Sequence, residues 1–282
     1  KAGTTWLANT LNQHQNIVLS NPKEPNIIAS HRGTFIRTKE EPEWDMLEKC
    51  FQGEGLKLDA SIHAFACPLA PSRIRERIPK AKFILCLREP VSRAFSHWNM
   101  ILNTKEAEIN NVDWSTFEKA WRDNHLREDS MYGTSMSRWL EQFSLSQFLI
   151  LDSFDLRNNP AEMLAQIENF LNIKNSKYDF SRRRHSNSAS TRRPIARTGR
   201  LVRTLFSVIP KIVKKPIVNF LQKRDFNIYN LPLLSSKGVI HQINSEPYKV
   251  CGKELTKELE LFEKLTNFST TKWIEKIKHE IK

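Results

Sequence analysis

An α/β fold is predicted for this chain, as one domain over residues 1–282 with a parallel β-sheet flanked by helices. Three observations lead there. Phe83–Leu87 and Phe148–Leu151 are short continuous apolar runs, the pattern of strands buried on both faces. Helical periodicity follows each run, and strand–helix alternation is the order of a parallel sheet. At 282 residues, 39% of them hydrophobic, the chain can bury one sizeable core.

The elements follow in order. Leu7, Ala8 and Leu11 recur at helical spacing, so a first helix is expected over about Thr5 to Gln13. Ile17–Ser20 reads as a strand, and Asn21–Pro25 as the turn at its end. Gly33 to Gly55 is polar and irregular, with a helix near Trp44 to Phe51. Leu56–Asp59 is a short strand, Ala60–Pro71 a loop or short helix, and Ser72–Arg77 a helix. Val91–Leu102 is helical after the Phe83–Leu87 strand, with Ala94, Phe95, Trp98 and Leu102 on one side. Trp114–Trp121 adds a short helix, and Tyr132, Met136, Trp139, Leu140 and Phe143 keep helical spacing. Pro160 opens another helix, since proline suits a first turn; its apolar face is Met163, Leu164, Ile167, Phe170 and Leu171. Leu201–Ile212 forms a helical stripe among basic residues, and Glu254–Phe262 and Trp273–Ile281 read as charged helices.

Charge is unevenly placed. The net charge is +13, and Arg182–Arg224 holds thirteen Lys and Arg without an acid, which accounts for the whole excess. Such a segment suits a polyanionic ligand. Four cysteines occur without a C-x-x-C pair, so no metal or dithiol site is expected and a reducing compartment is the default. No apolar run is long enough to cross a membrane. The pattern GxxxxGK[ST] is absent, which argues against an ATP or GTP hydrolase. Because the sequence opens at Lys1 inside a motif, a truncated chain is expected, with a first strand and any signal or anchor upstream.

That motif, Lys1-Ala2-Gly3-Thr4-Thr5-Trp6-Leu7, reads as an anion-binding loop feeding a helix N-terminus. Gly3 allows close backbone approach, Thr4 and Thr5 add hydroxyls, and Lys1 adds a mobile charge. Arg88 stands at the end of the Phe83–Leu87 strand, where open α/β sheets bind ligands. With Ser96 on the next helix it offers a charged fork and a hydroxyl to a second phosphate; its structural alternative is a salt bridge to Glu89 or Asp59.

KAGTTWL and Arg88–Ser96 (REPVSRAFS) together resemble the sulfotransferase family that uses 3′-phosphoadenosine 5′-phosphosulfate. The family patterns are P-K-x-G-T-T-x-L for the 5′-phosphosulfate and R-x-P-x-x-R-x-x-S for the 3′-phosphate. The resemblance implies a P-loop nucleotide-hydrolase-like fold and in-line sulfuryl transfer to a hydroxyl on a sugar, glycolipid, small alcohol or tyrosine, with no metal. It implies that Lys1, Gly3, Thr4 and Thr5 hold the phosphosulfate, with Lys1 also catalytic, and that Arg88 and Ser96 grip the 3′-phosphate. Trp6 matches an adenine-stacking position, a core tryptophan being the alternative. Arg93 reads as structural. Lys23–Ile28 matches the family's K-E-x-x-F/Y segment with Ile in place of the aromatic, making Glu24 the candidate general base. An ion pair with Lys23 is its alternative role, and His63 is the rival base. Residues 182–224 resemble a cofactor-covering lid, with Arg192 and Arg193 closing over the nucleotide. Ile28–Glu54 and Asn103–Asp129 are expected to form the acceptor cleft.

Two other function classes compete. A nucleic-acid binder is disfavoured because the basic segment has only Phe206 and Phe220 as aromatics and no recognition motif, so no nucleic acid is expected. Peripheral binding of an anionic membrane or polyanion through Leu201–Ile212 could accompany the enzyme. A cytoplasmic setting is expected, with the Golgi lumen as the alternative if an anchor lies upstream.

Overall fold

The computed structural model describes residues 2–180 and 241–282. Lys1, the basic segment 182–224 with Arg192 and Arg193, and the Leu201–Ile212 stripe lie outside them.

Helix α1 (Thr4–Leu11) leads into β1 (Ile17–Leu19). A small antiparallel hairpin, β2 (His31–Arg32) and β3 (Ile36–Arg37), and helix α2 (Trp44–Glu48) precede β4 (Leu56–Leu58), which pairs in parallel with β1. Helix α3 (Ala70–Arg77) leads to β5 (Phe83–Leu87), which pairs in parallel with β6 (Phe148–Asp152) from Phe83↔Phe148 to Leu87↔Asp152. Between these strands run α4 (Pro90–Thr104), α5 (Glu106–Ile109), α6 (Phe117–Arg122), α7 (Asn124–Arg127) and α8 (Tyr132–Leu140). Helices α9 (Ser153–Asn158) and α10 (Pro160–Leu171) follow β6, and α11 (Glu246–Thr266) and α12 (Thr271–Ile281) close the chain. Among the described residues the parallel strands form two separate pairs instead of the single sheet expected. Phe83–Cys86 are half-buried, and among the described residues β5 has a ladder neighbour on one side only.

Strand periodicity sorts the core into two layers. On β5, Phe83, Leu85 and Leu87 face one cluster, and Ile84 and Cys86 face the other; on β6, Phe148 and Ile150 oppose Leu149 and Leu151 in the same way. The larger cluster joins Val91, Phe95 and Trp98 of α4 to Met136 and Trp139 of α8 and to Leu255, Leu259 and Phe262 of α11. The smaller packs Leu7 and Leu11 of α1 against Leu156 of α9 and Met163, Leu164 and Ile167 of α10. Helices therefore cover both faces of the β5–β6 pair, the three-layer arrangement of an α/β domain. Helix α8 approaches α11 so closely that a Cβ on Gly133 would lie 2.6 Å from the Glu258 carbonyl oxygen.

Candidate active site

The loop before α1 carries the first half of the site. Gly3 is left-handed (φ 86°, ψ 10°), a conformation that side-chain-bearing residues rarely adopt, and it caps α1 without offering a side-chain acceptor. The first-turn amides of this eight-residue helix have no capping side chain and no acidic neighbour in that turn, so the dipole's positive end stays available to an anion. Thr4 and Thr5 are half-buried there. Cys86 on β5 donates its Sγ–H to the Ala2 carbonyl oxygen at 3.0 Å. Burial pushes that thiol up to about 12, so it acts as a neutral donor. On the opposite side, Leu156 of α9 stands 3.9 Å from where a Gly3 Cβ would be. Trp6 is half-buried with its ring 6.2 Å from Phe180, an observation compatible with either of its expected roles.

Two residues after Cys86, Arg88 leaves the end of β5. Its carbonyl accepts a 2.9 Å hydrogen bond from the Tyr132 hydroxyl, which fixes the backbone at the strand tip. The guanidinium is half-buried, and no hydrogen bond or ion pair to a described residue engages it. Burial and the nearby Arg157 lower its pKa, while Glu89 works in the opposite direction. The salt bridge to Glu89 or Asp59 is not formed. Glu89 is the α4 cap, accepting from the amides of Val91 at 2.7 Å and Ser92 at 2.9 Å. Asp59 accepts from the Ser61 amide at 2.8 Å. Ser96 sits two turns into α4, half-buried, with no hydroxyl partner among the described residues. Among the described residues, therefore, nothing engages the Arg88 guanidinium or the Ser96 hydroxyl, and Cys86 ties the glycine loop to the strand before Arg88. Arg93, by contrast, is buried and engaged, its Nε and Nη2 donating to Ser130 Oγ at 2.9 and 2.7 Å and its Nη2 to the Leu126 carbonyl at 3.1 Å.

Glu24 follows β1 on a turn with a cis Asn21–Pro22 bond. The Lys23 carbonyl accepts from Ser20 Oγ at 2.9 Å and from the Ala60 amide at 3.3 Å, which pins the turn between β1 and β4. Glu24 is half-buried and ion-paired with Lys23, the alternative role foreseen for it. Asp59 lies near enough that burial first, and then the Glu24 charge, raise its pKa. Beside Glu24 opens a cavity of about 370 Å³, lined by Pro22, Pro25, Asn26, Ile27, Arg32 and Glu43 among others. Asn26 Oδ1 and Arg32 Nε are buried there without a hydrogen-bond partner among the described residues. Neither was singled out from the sequence; the polar residues of an irregular stretch carry no periodic signal. His63 occupies a short 3-10 turn and keeps different company, its charge acting on His31 and Asp129.

The expected acceptor segments divide. Residues from Ile28–Glu54 line the cavity beside Glu24, whereas Asn103–Asp129 packs Trp114, Phe117, Trp121 and Leu126 into the core. Its aromatic spacing gives that segment a helical, buried face.

Fold and site together define an α/β protein whose glycine loop, at the N-terminus of α1, is tied to the strand that leads to Arg88. Residues 1–193 match the Sulfotransferase domain family, and the chain belongs to it. Mouse heparan sulfate glucosamine 3-O-sulfotransferase 5 is 28% identical over 187 residues, covering 61% of this chain and 51% of that protein. Mouse bifunctional heparan sulfate N-deacetylase/N-sulfotransferase 4 is 29% identical over 125 residues, covering 41% and 14%. The chain thus spans about half the length of the first relative and a small part of the second. A sulfotransferase structure from Alicyclobacillus acidocaldarius shares the fold, with a TM-score of 0.57 at 15% identity over 97% of this chain and 94% of that one.

Proposed function

We propose that this domain transfers a sulfuryl group from 3′-phosphoadenosine 5′-phosphosulfate to a hydroxyl or amine of a carbohydrate. The observation that carries the reading is the Cys86–Ala2 hydrogen bond, which holds the glycine loop against the strand that leads into Arg88, whose guanidinium no described residue engages. The donor, when bound, supplies an SO₃ group on a good leaving phosphate. Gly3, Thr4, Thr5 and the α1 amides bind the 5′ end, Arg88 and Ser96 bind the 3′-phosphate, and Trp6 lies against the adenine. Lys1 neutralises charge growing on the leaving oxygen; preorganised donors of this kind are worth about 2.7–4 kcal/mol. Arg192 and Arg193 close over the nucleotide from the basic segment.

Glu24 accepts the acceptor's proton as the new bond to sulfur forms. Its half-buried carboxylate is paired with Lys23, and its chain neighbour Pro25 lines the cavity, which supports that role. Pro22, Pro25 and Ile27 give the cavity apolar faces for a sugar ring, while Arg32, Asn26 and Glu43 add polar side chains to its lining. We keep a cytoplasmic setting as the reading, with the Golgi lumen as its alternative.

Radiolabelled transfer onto a panel of glycans, small alcohols and tyrosyl peptides tests the reaction. Label in a glycan fraction is expected. Label confined to alcohols or tyrosine would overturn the carbohydrate assignment, and no transfer to any acceptor, with no retention on adenosine 3′,5′-bisphosphate agarose, would overturn the enzyme reading.

A further inference from the structure

Helix α12 lies beyond the stretch that matches the family, yet one of its side chains reaches the first turn of α4, between Arg88 and Ser96 in the chain. We propose that Lys276 is a third ligand for that phosphate beside Arg88 and Ser96, an assignment that rests on the donor-binding reading above.

The Lys276 ammonium stands 3.3 Å from Ser92 Oγ and 3.7 Å from the Glu89 carboxylate. Ser92 and Ser96 are four residues apart on α4, and side chains at that spacing are neighbours on one helix face. A cation seated on Ser92 is therefore one helical turn from the Ser96 hydroxyl. Arg88 immediately precedes the Glu89 cap, and its positive charge is felt at Lys276. The Lys276 side chain is 47% exposed while Glu89 is 7% exposed, so the ammonium is the part of this group that meets solvent.

Glu89 does not depend on the lysine. Its oxygens already accept from the Val91 and Ser92 amides, the Ser92 hydroxyl and, at 3.2 Å, the Tyr248 hydroxyl. An ammonium carries three donors, and Ser92 and Tyr248 take at most two. The Tyr248 ring, 5.5 Å below the ammonium, orients it by cation–π attraction. Lys276 and Arg88 are like charges beside the same Glu89, and a phosphate dianion near Ser96 would be drawn to both. The ligand class is a nucleotide carrying a 3′-phosphate.

Titration of the full chain with adenosine 3′,5′-bisphosphate and, separately, with AMP tests this by calorimetry. Wild type is expected to prefer the bisphosphate. In Lys276→Met the bisphosphate should bind about tenfold more weakly with AMP affinity unchanged, and Lys276→Arg should restore the preference. Lys276→Gln reports the same loss if the Met variant does not fold. Equal weakening for both ligands would mean a structural role through α4, and an undiminished preference would mean no role; either overturns the assignment of Lys276 alone. A wild type that binds both ligands alike would overturn the donor-binding reading, and this proposal with it.

Discussion

The Cys86 thiol and the Ala2 carbonyl meet at 3.0 Å, joining the glycine loop to the strand whose last residue precedes Arg88. Replacing the donor should loosen that joint. Cys86→Val, close in volume but unable to donate, leaves the Ala2 oxygen unsatisfied at about 1–3 kcal/mol. A lower melting temperature and a raised donor KM are expected, with Cys86→Ser recovering part of both. Because the buried thiol titrates only at about 12, native protein at pH 8 should resist alkylation at Cys86, as read by peptide mass mapping.

Arg88→Ala and Ser96→Ala address the other end of the donor. A hydrogen bond to a charged group contributes about 1.5–3 kcal/mol, so each variant should bind adenosine 3′,5′-bisphosphate about ten- to a hundredfold more weakly. AMP binding should hold steady. The melting temperature should also be nearly unchanged, since no described residue pairs with either side-chain group.

Glu24→Gln separates the two candidate bases. Loss of a positioned base lowers turnover by about 10²–10⁴-fold, while bisphosphate affinity should stay near wild type. His63→Gln should keep most activity. The reverse pattern of kcat values would move the proton transfer to His63.

His31 gives the fold a pH dependence. Burial, then the Arg37 charge, lower its pKa to about 4, while Asp129 opposes them and His63 and Arg138 add to them. Glu128 also faces its ring, at 3.9 Å. An unfolded histidine takes up its proton near 6.5, so the unfolded chain binds more protons between pH 6.5 and 4. The stabilisation is complete above that window and fades as the pH falls through it, by on the order of 3 kcal/mol at 1.36 kcal/mol per unit. Urea midpoints at pH 7 and 4.5 should differ less in His31→Gln than in wild type.

Gly133→Ala probes the α8–α11 contact. Its new methyl would lie 2.6 Å from the Glu258 carbonyl, a backbone atom that cannot swing aside. A loss of about 1–3 kcal/mol in urea unfolding is expected.

Strong periodicity made much of this architecture readable. Phe83–Leu87 and Pro160–Leu171 form their elements with the expected bounds, since continuous apolar character and an N1 proline leave few alternatives. The β2–β3 hairpin escaped notice because two-residue strands in polar sequence carry no alternation. Helix α9 was missed for a similar reason: six residues following a strand look like its continuation into a loop. The first closing helix begins at Glu246, before the expected charged stretch from Glu254 and near Lys249, where the resemblance starts the family's closing helix; Tyr248 and Cys251 extend its buried face. Motif spacing singled out Gly3, Arg88 and Ser96 as candidates. It could not reveal Cys86 as the tether or Lys276 as a neighbour of Ser92, since both depend on contacts between segments far apart in the chain.

The family match stops at residue 193, but α11 lies fully against α8 and α4, with Tyr248, Cys251, Leu255, Leu259 and Phe262 all at 2% exposure or less. A shortened expression product ending at the recognisable boundary would strip away that cover. Tyr132, packed on Phe262, and the α8 and α4 faces beneath α11 would then meet water as one broad greasy surface, and the product would clump in the cell even with every residue of the glycine loop and strand tip intact. Anyone isolating the minimal working unit should therefore carry the sequence through to Ile281.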